Sequence, residues 1–524
     1  MPETATAAGT ATAAPAALSE SDFETVIGLE IHVQLKTRAK VFAPVPYLYG
    51  GALPDDAAPA DITPNTLVDP TVLALPGALP VLNRAALEQS IRFGLLVGAD
   101  IPETTNWDRK NYFYPDSTKA YQLSQKDHPV TIGGEVEIEL PGPARNIMGE
   151  HKIIRLNHAH LEEDVGKLTH AGAGSLVDYN RAGAPLLEIV TEPDLRSPDE
   201  AVALLNALRM LLTAAGVSDC DMEKGQMRCD ANVSVRPRGQ TALNTRCEMK
   251  NLNSISGVKN AIEYEARRQI REVLAGREIH QETRGWNAET GRTYPLRSKE
   301  EAHDYRYFPD PDLLPVKTTA GDIERLRATL PERPYDRQRR YQADIAAGGF
   351  ALPFTVTSVF IPDRELCEYF EAAVAAGSGT AAGTTANPLT IANLVANDLL
   401  GALAGATDYN RLPPAHLAAL ARLTDAGTIS KAQAKEVFAE MFTTGDAPDA
   451  IVERRGLRQN SDTGEIETIV RDVLATPAGT AAAEQFRAGN EKALNSLKGP
   501  IMKASKGKAN PKVVDDILRR LLAA

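Results

Sequence analysis

The chain has 524 residues, enough for about three domains, and its hydrophobic fraction of 43% and charged fraction of 24% are ordinary for a soluble globular protein. A net charge of -12 argues against nucleic-acid contact over the whole surface, so any such contact must be local. No apolar run reaches the roughly 18 residues of a membrane span, and no two of the four cysteines have C-x-x-C spacing. Membrane insertion, a disulfide framework and a thiolate zinc site are therefore excluded, and a reducing compartment is indicated.

Residues 1–19 are rich in Ala and Thr and contain neither Lys nor Arg. A secretory signal needs a basic start and a mitochondrial transit peptide needs arginines, so neither pattern is present. We predict a disordered extension and a cytoplasmic protein.

The stretch from Val26 to Leu35 alternates apolar and polar residues with the period of two that is typical of a β-strand. Its polar face carries Glu30, His32 and Gln34. A carboxylate, an imidazole and an amide on one rigid strand can hold a divalent cation or a metal-bound phosphate. A half-buried strand with a solvated polar face is the more common meaning of such alternation.

Residues 20–315 mix short strand-like runs with helical stretches, which predicts one large α+β domain. Two of its runs repeat the alternation of the first strand: Asp230 lies on a polar face, and Glu248 and Lys250 share another. Charged residues that are neighbours on a sheet are usually just solvated. Three strands with such faces nevertheless suggest a polar concave surface with a binding site.

The segment from Arg155 to His170 contains three histidines and three consecutive acids. Strict alternation sends Glu162 and Glu163 to opposite faces, so at most one of them shares a face with His158 and His160 unless the strand bulges or ends there. The segment is either a polar strand end or the source of a metal-binding carboxylate, and spacing leaves both open.

The segment from Asp108 to Gln125 is rich in aromatic residues. Three cations accompany them: Arg109, Lys110 and Lys119. Together these groups could stack on and neutralise a nucleotide or an RNA end. Alternatively, Tyr112 and Tyr114 are core residues whose hydroxyls reach the surface, which is the more common role of tyrosine.

From residue 316 the pattern becomes helical, and we predict a helical domain over 316–445 and a small helical tail over 446–524. The last 35 residues carry six Lys and two Arg against three acids, a local charge of +5 in an otherwise acidic chain. Such a reversal predicts contact with a phosphate backbone, with Lys503, Lys506 and Lys508 as candidates. A solvated Lys-rich helix is the alternative.

Nucleotide-binding and hydrolase motifs are absent: there is no P-loop, no strand followed by G-x-G-x-x-G, no H-E-x-x-H and no G-x-S-x-G. If the protein uses ATP, it must do so with carboxylate-bound Mg²⁺ and scattered cations. The residues alone lead to a metal-using α+β domain with a helical extension and a basic tail.

These runs resemble, closely and in order, the family of aspartyl/glutamyl-tRNA amidotransferase B subunits. The matching blocks include V-I-G-L-E-I-H-V-Q-L-K-T, D-R-K-N-Y-F-Y-P-D, L-E-E-D-V-G-K, D-Y-N-R-A-G-A-P-L-L-E-I-V-T-E-P-D, M-R-C-D-A-N-V-S and E-M-K-N-L-N-S. The resemblance is dense over residues 23–315 and thinner beyond. It implies a cradle-like catalytic domain with a mixed or antiparallel sheet, then a helical domain and a helical tail that contacts tRNA.

The resemblance also implies a reaction and partners. In this family the A subunit is a glutaminase that hydrolyses glutamine, and ammonia travels from it to the B subunit. The B subunit uses ATP and Mg²⁺ to phosphorylate the side-chain carboxylate of mischarged Glu-tRNA(Gln) or Asp-tRNA(Asn), after which ammonia displaces the phosphate. A small C subunit braces the assembly, a cognate aminoacyl-tRNA synthetase is a further expected partner, and no membrane is involved.

Carried over to this sequence, the family's metal and phosphoryl-transfer site comprises Glu30, His32, Glu163, Asp230 and Glu248, with Glu162 adjacent. The remaining assignments are Lys119 and Tyr121 for the substrate's 3′ end or phosphorylated side chain, and Arg181 and Lys250 as charge partners of phosphate. Carboxylate-held Mg²⁺ would screen the repulsion between the two anions that react.

One departure from the family pattern bears on cofactors. Many members carry a C-x-x-C where this chain has Asp69-Pro70-Thr71-Val72, so we expect no structural zinc.

A different function is also open: a catalytically silent tRNA-binding scaffold, which would bind tRNA without consuming ATP. A free-standing metal hydrolase is disfavoured because no motif supplies an activated nucleophile.

Overall fold

A computed structural model of the chain describes residues 18–47, 62–298, 305–378, 385–459, 462–505 and 508–523. Most of the predicted extension, residues 1–17, and the predicted tRNA-binding Lys506 lie outside these ranges. The chain divides into two compact units, one up to Arg333 and one from Pro334 onward. The domain limits expected at residues 315 and 445 stay predictions of the sequence.

The first unit contains all the strands of the described chain. They are β1 Phe23–Gln34, β2 Thr104–Thr105, β3 Asp108–Asn111, β4 Tyr121–Ser124, β5 Thr131–Ile132, β6 Glu135–Glu139, β7 His151–Glu163, β8 Lys167–Ala171, β9 Gly174–Asp178, β10 Pro185–Thr191, β11 Met227–Pro237, β12 Cys247–Leu252, β13 Glu282–Asn287, β14 Arg292–Ser298, β15 Phe308–Pro309 and β16 Val316–Lys317. Its helices are α1 Arg84–Leu96, α2 Pro198–Ala214, α3 Ile255–Leu274 and α4 Ala320–Arg327.

Nine of these strands form one sheet in the order β14-β13-β12-β11-β1-β10-β7-β5, with β6 also pairing with β7. Within it β12 and β13 run parallel, and the other described pairs are antiparallel. This mixed, mainly antiparallel sheet followed by a helical unit confirms the predicted α+β class. The first strand of the chain lies near the centre of the sheet.

The alternation in β1 has the predicted consequence for burial. Ile27, Leu29 and Ile31 are almost completely buried, and each such side chain contributes roughly 1.5–3 kcal/mol through the hydrophobic effect. Helix α3 packs against β11 and β12 and also contacts α2. Because α3 covers the apolar side of these strands, the polar residues of β1 project from the opposite side.

Helix starts in the first unit follow local capping chemistry. The Ser197 hydroxyl accepts a hydrogen bond from the Glu200 amide at the start of α2, and the Ser254 hydroxyl accepts one from the Gly257 amide at the start of α3. Such caps satisfy amide groups that have no partner within the helix. These caps fix the residue at which each helix begins.

The second unit is helical throughout its described residues. Its helices are α5 Pro334–Gln342, α6 Phe354–Phe360, α7 Arg364–Ser378, α8 Pro388–Asn393, α9 Leu400–Leu403, α10 Pro414–Asp425, α11 Lys431–Thr444, α12 Pro448–Arg455, α13 Thr463–Leu474, α14 Pro477–Arg487, α15 Ala493–Ala504 and α16 Pro511–Ala523. A π-helical turn, Leu394–Leu399, joins α8 to α9. Helices α13 to α16 share an apolar core that includes Ile466, Leu497 and Leu518.

Candidate functional site

An imidazole–carboxylate group, consisting of His32, His160, Glu162 and Glu188, lies on the polar face of the large sheet. The strand register places Glu188 of β10 between His32 of β1 and His160 of β7. One Glu188 carboxylate oxygen, Oε2, lies 3.2 Å from Nε2 of His32 and 3.2 Å from Nε2 of His160. One ligand atom each from His32, Glu162 and Glu188 lies within 4.8 Å of the others.

The charged side chains of this group shift the pKa values of one another. Burial lowers the pKa of His160, but the Glu188 and Glu162 carboxylates outweigh burial and raise it to about 10. Burial likewise opposes protonation of His32, and Glu188 raises its pKa above the ordinary value. In turn, burial would raise the pKa of Glu188, but the two imidazoles hold it well below its usual range. The negative charge of Glu188 is therefore stable at this buried site only because positively charged groups lie beside it.

The second histidine of the predicted segment behaves differently. His158 stacks on His160, with ring centroids 5.3 Å apart, and the two rings approach to 3.2 Å between Nε2 of His158 and Nδ1 of His160. Burial and the neighbouring His160 charge lower the pKa of His158 to about 4. A neutral ring therefore backs a charged one and orients it toward Glu188.

The donor set fits a divalent cation. Imidazole nitrogen and carboxylate oxygen are common ligands of such ions. The Glu162 Oε2 atom is buried and has no hydrogen-bond partner among the described residues, and a buried acceptor of this kind calls for a ligand. Cation binding would compete with the protons on the imidazoles.

A lysine–carboxylate group, consisting of Glu30, Asp230, Glu248 and Lys250, lies next to the first group on the same sheet. Glu30 is directly opposite Asp230 in the register of β1 and β11. The Lys250 ammonium bonds to Asp230 Oδ2 and lies 3.2 Å from Glu248 Oε1. The Glu30 carboxylate accepts a hydrogen bond of 2.9 Å from Asn232. Asp230 and Glu248 therefore already have a cation among the side chains of the protein.

Burial affects this second group as well. Burial, together with the charges of Glu188 and Glu248, raises the pKa of Glu30. Burial lowers the pKa of Lys250, but Asp230 and Glu248 outweigh burial and raise it above the ordinary value. Lys250 is therefore a fixed positive charge at neutral pH.

Glu163 is not brought to the converging ligand atoms. Its Oε1 accepts the Leu123 amide hydrogen at 2.9 Å and pairs with the Lys119 ammonium. Tyr121, which was assigned with Lys119 to the substrate end, has its ring under the Arg109 guanidinium, with 4.5 Å between the ring centroid and Cζ of Arg109. Glu162 and Glu163 thus point in different directions, as strict alternation in β7 predicts. The assignment of Glu163 as a metal ligand stays a prediction.

Arg181 supports the chain that follows β7. Its Nε donates to the Val165 carbonyl at 2.9 Å, and its Nη2 donates to the Gly166 carbonyl at 2.8 Å. The buried Asp164 carboxylate accepts a 2.6 Å hydrogen bond from Arg228 and lies 3.6 Å from Arg181. The structure therefore uses Arg181 to hold this turn, and its contact with phosphate stays a prediction.

Lys110 of β3 forms no ion pair with an acidic side chain among the described residues. Its Nζ lies 5.2 Å from the centroid of the Tyr305 ring, and within the described chain no carboxylate oxygen lies within 4.0 Å of it. Burial lowers its pKa, but the nearby Glu162 carboxylate, among other groups, raises it above the ordinary value. Lys110 is therefore charged and available to an anionic ligand.

Sequence reasoning missed Glu188, and it named Lys110 only as one of three cations that could neutralise a nucleotide or an RNA end. Glu188 is the single charged residue in the apolar strand β10, P-L-L-E-I-V-T. A lone acid flanked by buried Leu187 and Ile189 is costly unless it has a partner. The position of this single acid in an apolar strand was the sequence signal that could have identified Glu188 as a site residue.

In the tail, Lys503 and Lys508 are both exposed, as a phosphate contact requires. Lys498 instead pairs with Asp515 at 2.7 Å. The contact of Lys503 and Lys508 with tRNA stays a prediction. None of the helices in the described parts of the chain has the length and apolarity that a membrane crossing requires.

Comparison with known proteins identifies the family. A model described as the GatB/GatE catalytic domain matches residues 25–324, and one described as the GatB domain matches residues 368–522. The B subunit of the aspartyl/glutamyl-tRNA(Asn/Gln) amidotransferase from Opitutus terrae is 53% identical over 511 residues, covering 96% of this chain and 100% of that protein. The chain belongs to this family.

Two further B subunits are similar over the same extent. That of Anaeromyxobacter sp. (strain Fw109-5) is 47% identical and covers 96% of this chain and 99% of its own length. That of Persephonella marina is 44% identical and covers 96% and 100%. The expected family is thereby confirmed, and the chain is one component of a ligase-type aminoacyl-tRNA amidotransferase. The two groups described above lie within the catalytic-domain match.

Proposed function

We propose that this chain is the component that phosphorylates and amidates mischarged Glu-tRNA(Gln) or Asp-tRNA(Asn). The convergence of His32, Glu162 and Glu188 within 4.8 Å on one sheet face carries the proposal. A side-chain carboxylate oxygen of the esterified amino acid attacks the γ-phosphorus of ATP, and ADP leaves. Ammonia then attacks the acyl carbon, phosphate leaves, and Gln-tRNA(Gln) or Asn-tRNA(Asn) results.

His32, Glu162 and Glu188 would hold Mg²⁺ in this reaction. Bound there, the ion would supply positive charge that screens the repulsion between the carboxylate and the γ-phosphate. Oε2 of Glu162 accepts no hydrogen bond from the described residues and lies 3.7 Å from Nε2 of His160, and this open acceptor supports the assignment. His160, positioned by His158, holds Glu188 through its 3.2 Å contact and keeps that carboxylate ionised.

Lys110 would bind the transferred phosphoryl group. Lys119 is neutralised by Glu163, and Lys250 is neutralised by Asp230 and Glu248. Lys110 has no such partner among the described residues, so its ammonium can meet the negative charge on the phosphoryl oxygens.

The ammonia would come from a glutaminase partner, the A subunit, with a small C subunit completing the complex in the cytoplasm. All four cysteines are buried, and burial raises the pKa of Cys220 and Cys247 to about 12 and that of Cys367 to about 11. Burial also raises the pKa of Cys229. Since a thiolate is the reactive form of cysteine, these residues are unsuited to glutamine hydrolysis. A cognate aminoacyl-tRNA synthetase is a further proposed partner.

The decisive test is a three-subunit complex in which this chain carries His32→Ala. We expect amide formation on Glu-tRNA(Gln) to be lost while glutamine hydrolysis by the partner continues. A matched control is Glu192→Gln, which removes an acid that contacts Asn157 outside both groups. Unchanged transamidation by the His32 variant would refute the proposal.

The second candidate function is a tRNA-binding scaffold without chemistry, which the exposed Lys503 and Lys508 favour. A scaffold would bind tRNA but would not release phosphate from ATP. Phosphate release that depends on mischarged tRNA and is lost with His32→Ala would exclude it.

A further inference from the structure

The hairpin formed by β3 and β4 presents aromatic rings to solvent. Phe113 is 92% exposed and Tyr114 is 54% exposed. Both lie at the tip that connects the two strands. A phenylalanine this exposed does not contribute to the hydrophobic core. It indicates a binding surface where the neighbouring residues also suit a ligand.

The tip is held in place by the rest of the unit. Three hydrogen bonds tie it down: Tyr179 Oη to the Pro115 carbonyl at 2.7 Å, the Gly166 amide to the Asp116 carbonyl at 2.9 Å, and Thr118 Oγ1 to the Val72 carbonyl at 2.5 Å. The Tyr112 amide also bonds across the hairpin to the Ala120 carbonyl at 3.0 Å. Phe113 is therefore held outward by a braced loop.

The same loop reaches the functional site. Lys119 directly precedes Ala120, the partner of Tyr112, and its ammonium pairs with Glu163. The hairpin is also bonded along β7, the strand that carries His160 and Glu162: Gln122 Nε2 donates to the Glu163 carbonyl at 2.6 Å, and Gln125 Oε1 accepts the Leu161 amide hydrogen at 2.8 Å. The hairpin that carries Phe113 at its tip is therefore attached to the strand that contributes His160 and Glu162 to the imidazole–carboxylate group.

The charges of the hairpin select the kind of ligand. Its strands and loop carry three cations: Arg109 pairs with Asp310 and Asp312 and Lys119 pairs with Glu163, whereas Lys110 has no ion pair among the described residues. Exposed rings flanked by cations are the arrangement with which proteins bind single-stranded nucleic acid, in which bases stack and phosphates are neutralised. A protein partner would instead be expected to meet a broader apolar patch.

We propose that Phe113 stacks on the base of the terminal nucleoside of the aminoacylated RNA. The esterified amino acid then points toward the imidazole–carboxylate group. This inference rests on the proposed function, and it names the side chain that positions the RNA end at that site.

The first experiment measures steady-state amide formation by the complete complex with Phe113→Ala and Phe113→Trp. Loss of one base stack should raise the KM for Glu-tRNA(Gln) about tenfold, with kcat and the KM for ATP unchanged. The tryptophan variant should retain the wild-type KM. Leu176→Ala is the matched control, because Leu176 is 67% exposed on the separate hairpin of β8 and β9.

The second experiment places 2-aminopurine at the 3′ terminus of the tRNA. Stacking should quench its fluorescence in complexes with the wild type, Phe113→Trp and Leu176→Ala, and the quench should be lost with Phe113→Ala. This readout does not depend on catalysis.

Three results would overturn the inference while leaving the proposed function intact. They are an unchanged KM and quench in Phe113→Ala, an increase in the KM for ATP alone, and a failure of Phe113→Ala to assemble with its partner proteins. The second would place the nucleotide on the ring, and the third would place a protein there. A wild-type complex without transamidation would instead refute the proposed function itself.

Discussion

The two acidic groups on the large sheet use similar residues and differ in what neutralises them. In the imidazole–carboxylate group, His32 and His160 face Glu188. In the lysine–carboxylate group, Lys250 bridges Asp230 and Glu248. Each group contains one buried carboxylate, Glu162 in the first and Glu248 in the second, and its other carboxylates are half-buried.

The difference decides which group can accept an external ion. An imidazole can lose its proton and become a ligand, whereas a lysine with a raised pKa keeps its charge at neutral pH. The first group therefore suits an exchangeable divalent cation, and the second has its cation built into the chain. Residue type alone does not distinguish a metal site from a salt bridge.

The largest expected effect is that of Glu188→Gln. Removal of a charge that both imidazoles contact should lower amide formation about 1000-fold, more than the roughly 10- to 100-fold that loss of an outer partner costs. Binding of Mn²⁺, followed by electron paramagnetic resonance, should weaken in parallel. Glu192→Gln serves as the control, and wild-type Mn²⁺ affinity in Glu188→Gln would remove the distinction between the groups.

Lys110→Gln should lower kcat roughly 100-fold, as expected for removal of one charge-stabilising group. Mn²⁺ affinity should hardly change, because no ligand is lost. Lys110→Arg, which keeps the charge, should recover much of the activity. An equal loss in both variants would mean that packing against Tyr305, and not charge, is what matters.

Lys250→Gln should convert the second group into one resembling the first. With Asp230 and Glu248 no longer neutralised, we expect one additional Mn²⁺ per chain in a binding titration. Lys250 is 34% exposed, so the free energy of unfolding should fall by only about 1–2 kcal/mol. An unchanged Mn²⁺ stoichiometry would show that Lys250 is not what prevents the second group from binding a divalent cation.

Lys40 is a buried cation whose hydrogen-bond partners among the described residues are backbone carbonyls. Its Nζ donates to the Leu67 and Ala182 carbonyls at 2.6 Å, and burial lowers its pKa to about 8. The pKa of this lysine in the unfolded chain is about 10.4, so between about pH 8 and pH 10.4 the unfolded chain binds one proton more than the folded protein does. The free energy of unfolding should therefore rise with pH by up to about 1.4 kcal/mol per pH unit. Denaturant titrations of wild type and Lys40→Met over this range should differ by that slope. Parallel curves would mean that the carbonyls keep Lys40 protonated.

The smallest expected effect on chemistry lies in the tail. Changing Lys503 and Lys508 to Ala should weaken tRNA binding and reduce the slope of log affinity against log salt by roughly one unit per lost phosphate contact. At saturating tRNA, kcat should be unaffected, in contrast to changes on the sheet. An unaltered slope would indicate that these lysines only solvate the helix.

Local pattern predicted much of the fold. Leu366, Tyr369, Phe370 and Ala373, which are spaced as on one face of a helix, are buried in α7. Ser430 and Gln433 have the sequence spacing of a capping box, and they form one at the start of α11. Such features follow from helical geometry and from hydrogen bonds within one turn, so neighbouring residues suffice to specify them.

For the candidate site, the sequence by itself determined the direction of each side chain. Because strands alternate with a period of two, Glu30 and His32 share a face, and Glu162 and Glu163 diverge as long as the strand continues without a bulge. Only the tertiary structure decided which residues meet. The order of strands in a sheet depends on long-range pairing, and it inserts Glu188 of β10 between β1 and β7. The same pairing sets Lys250 among the acids of the second group, and no local spacing specifies either event.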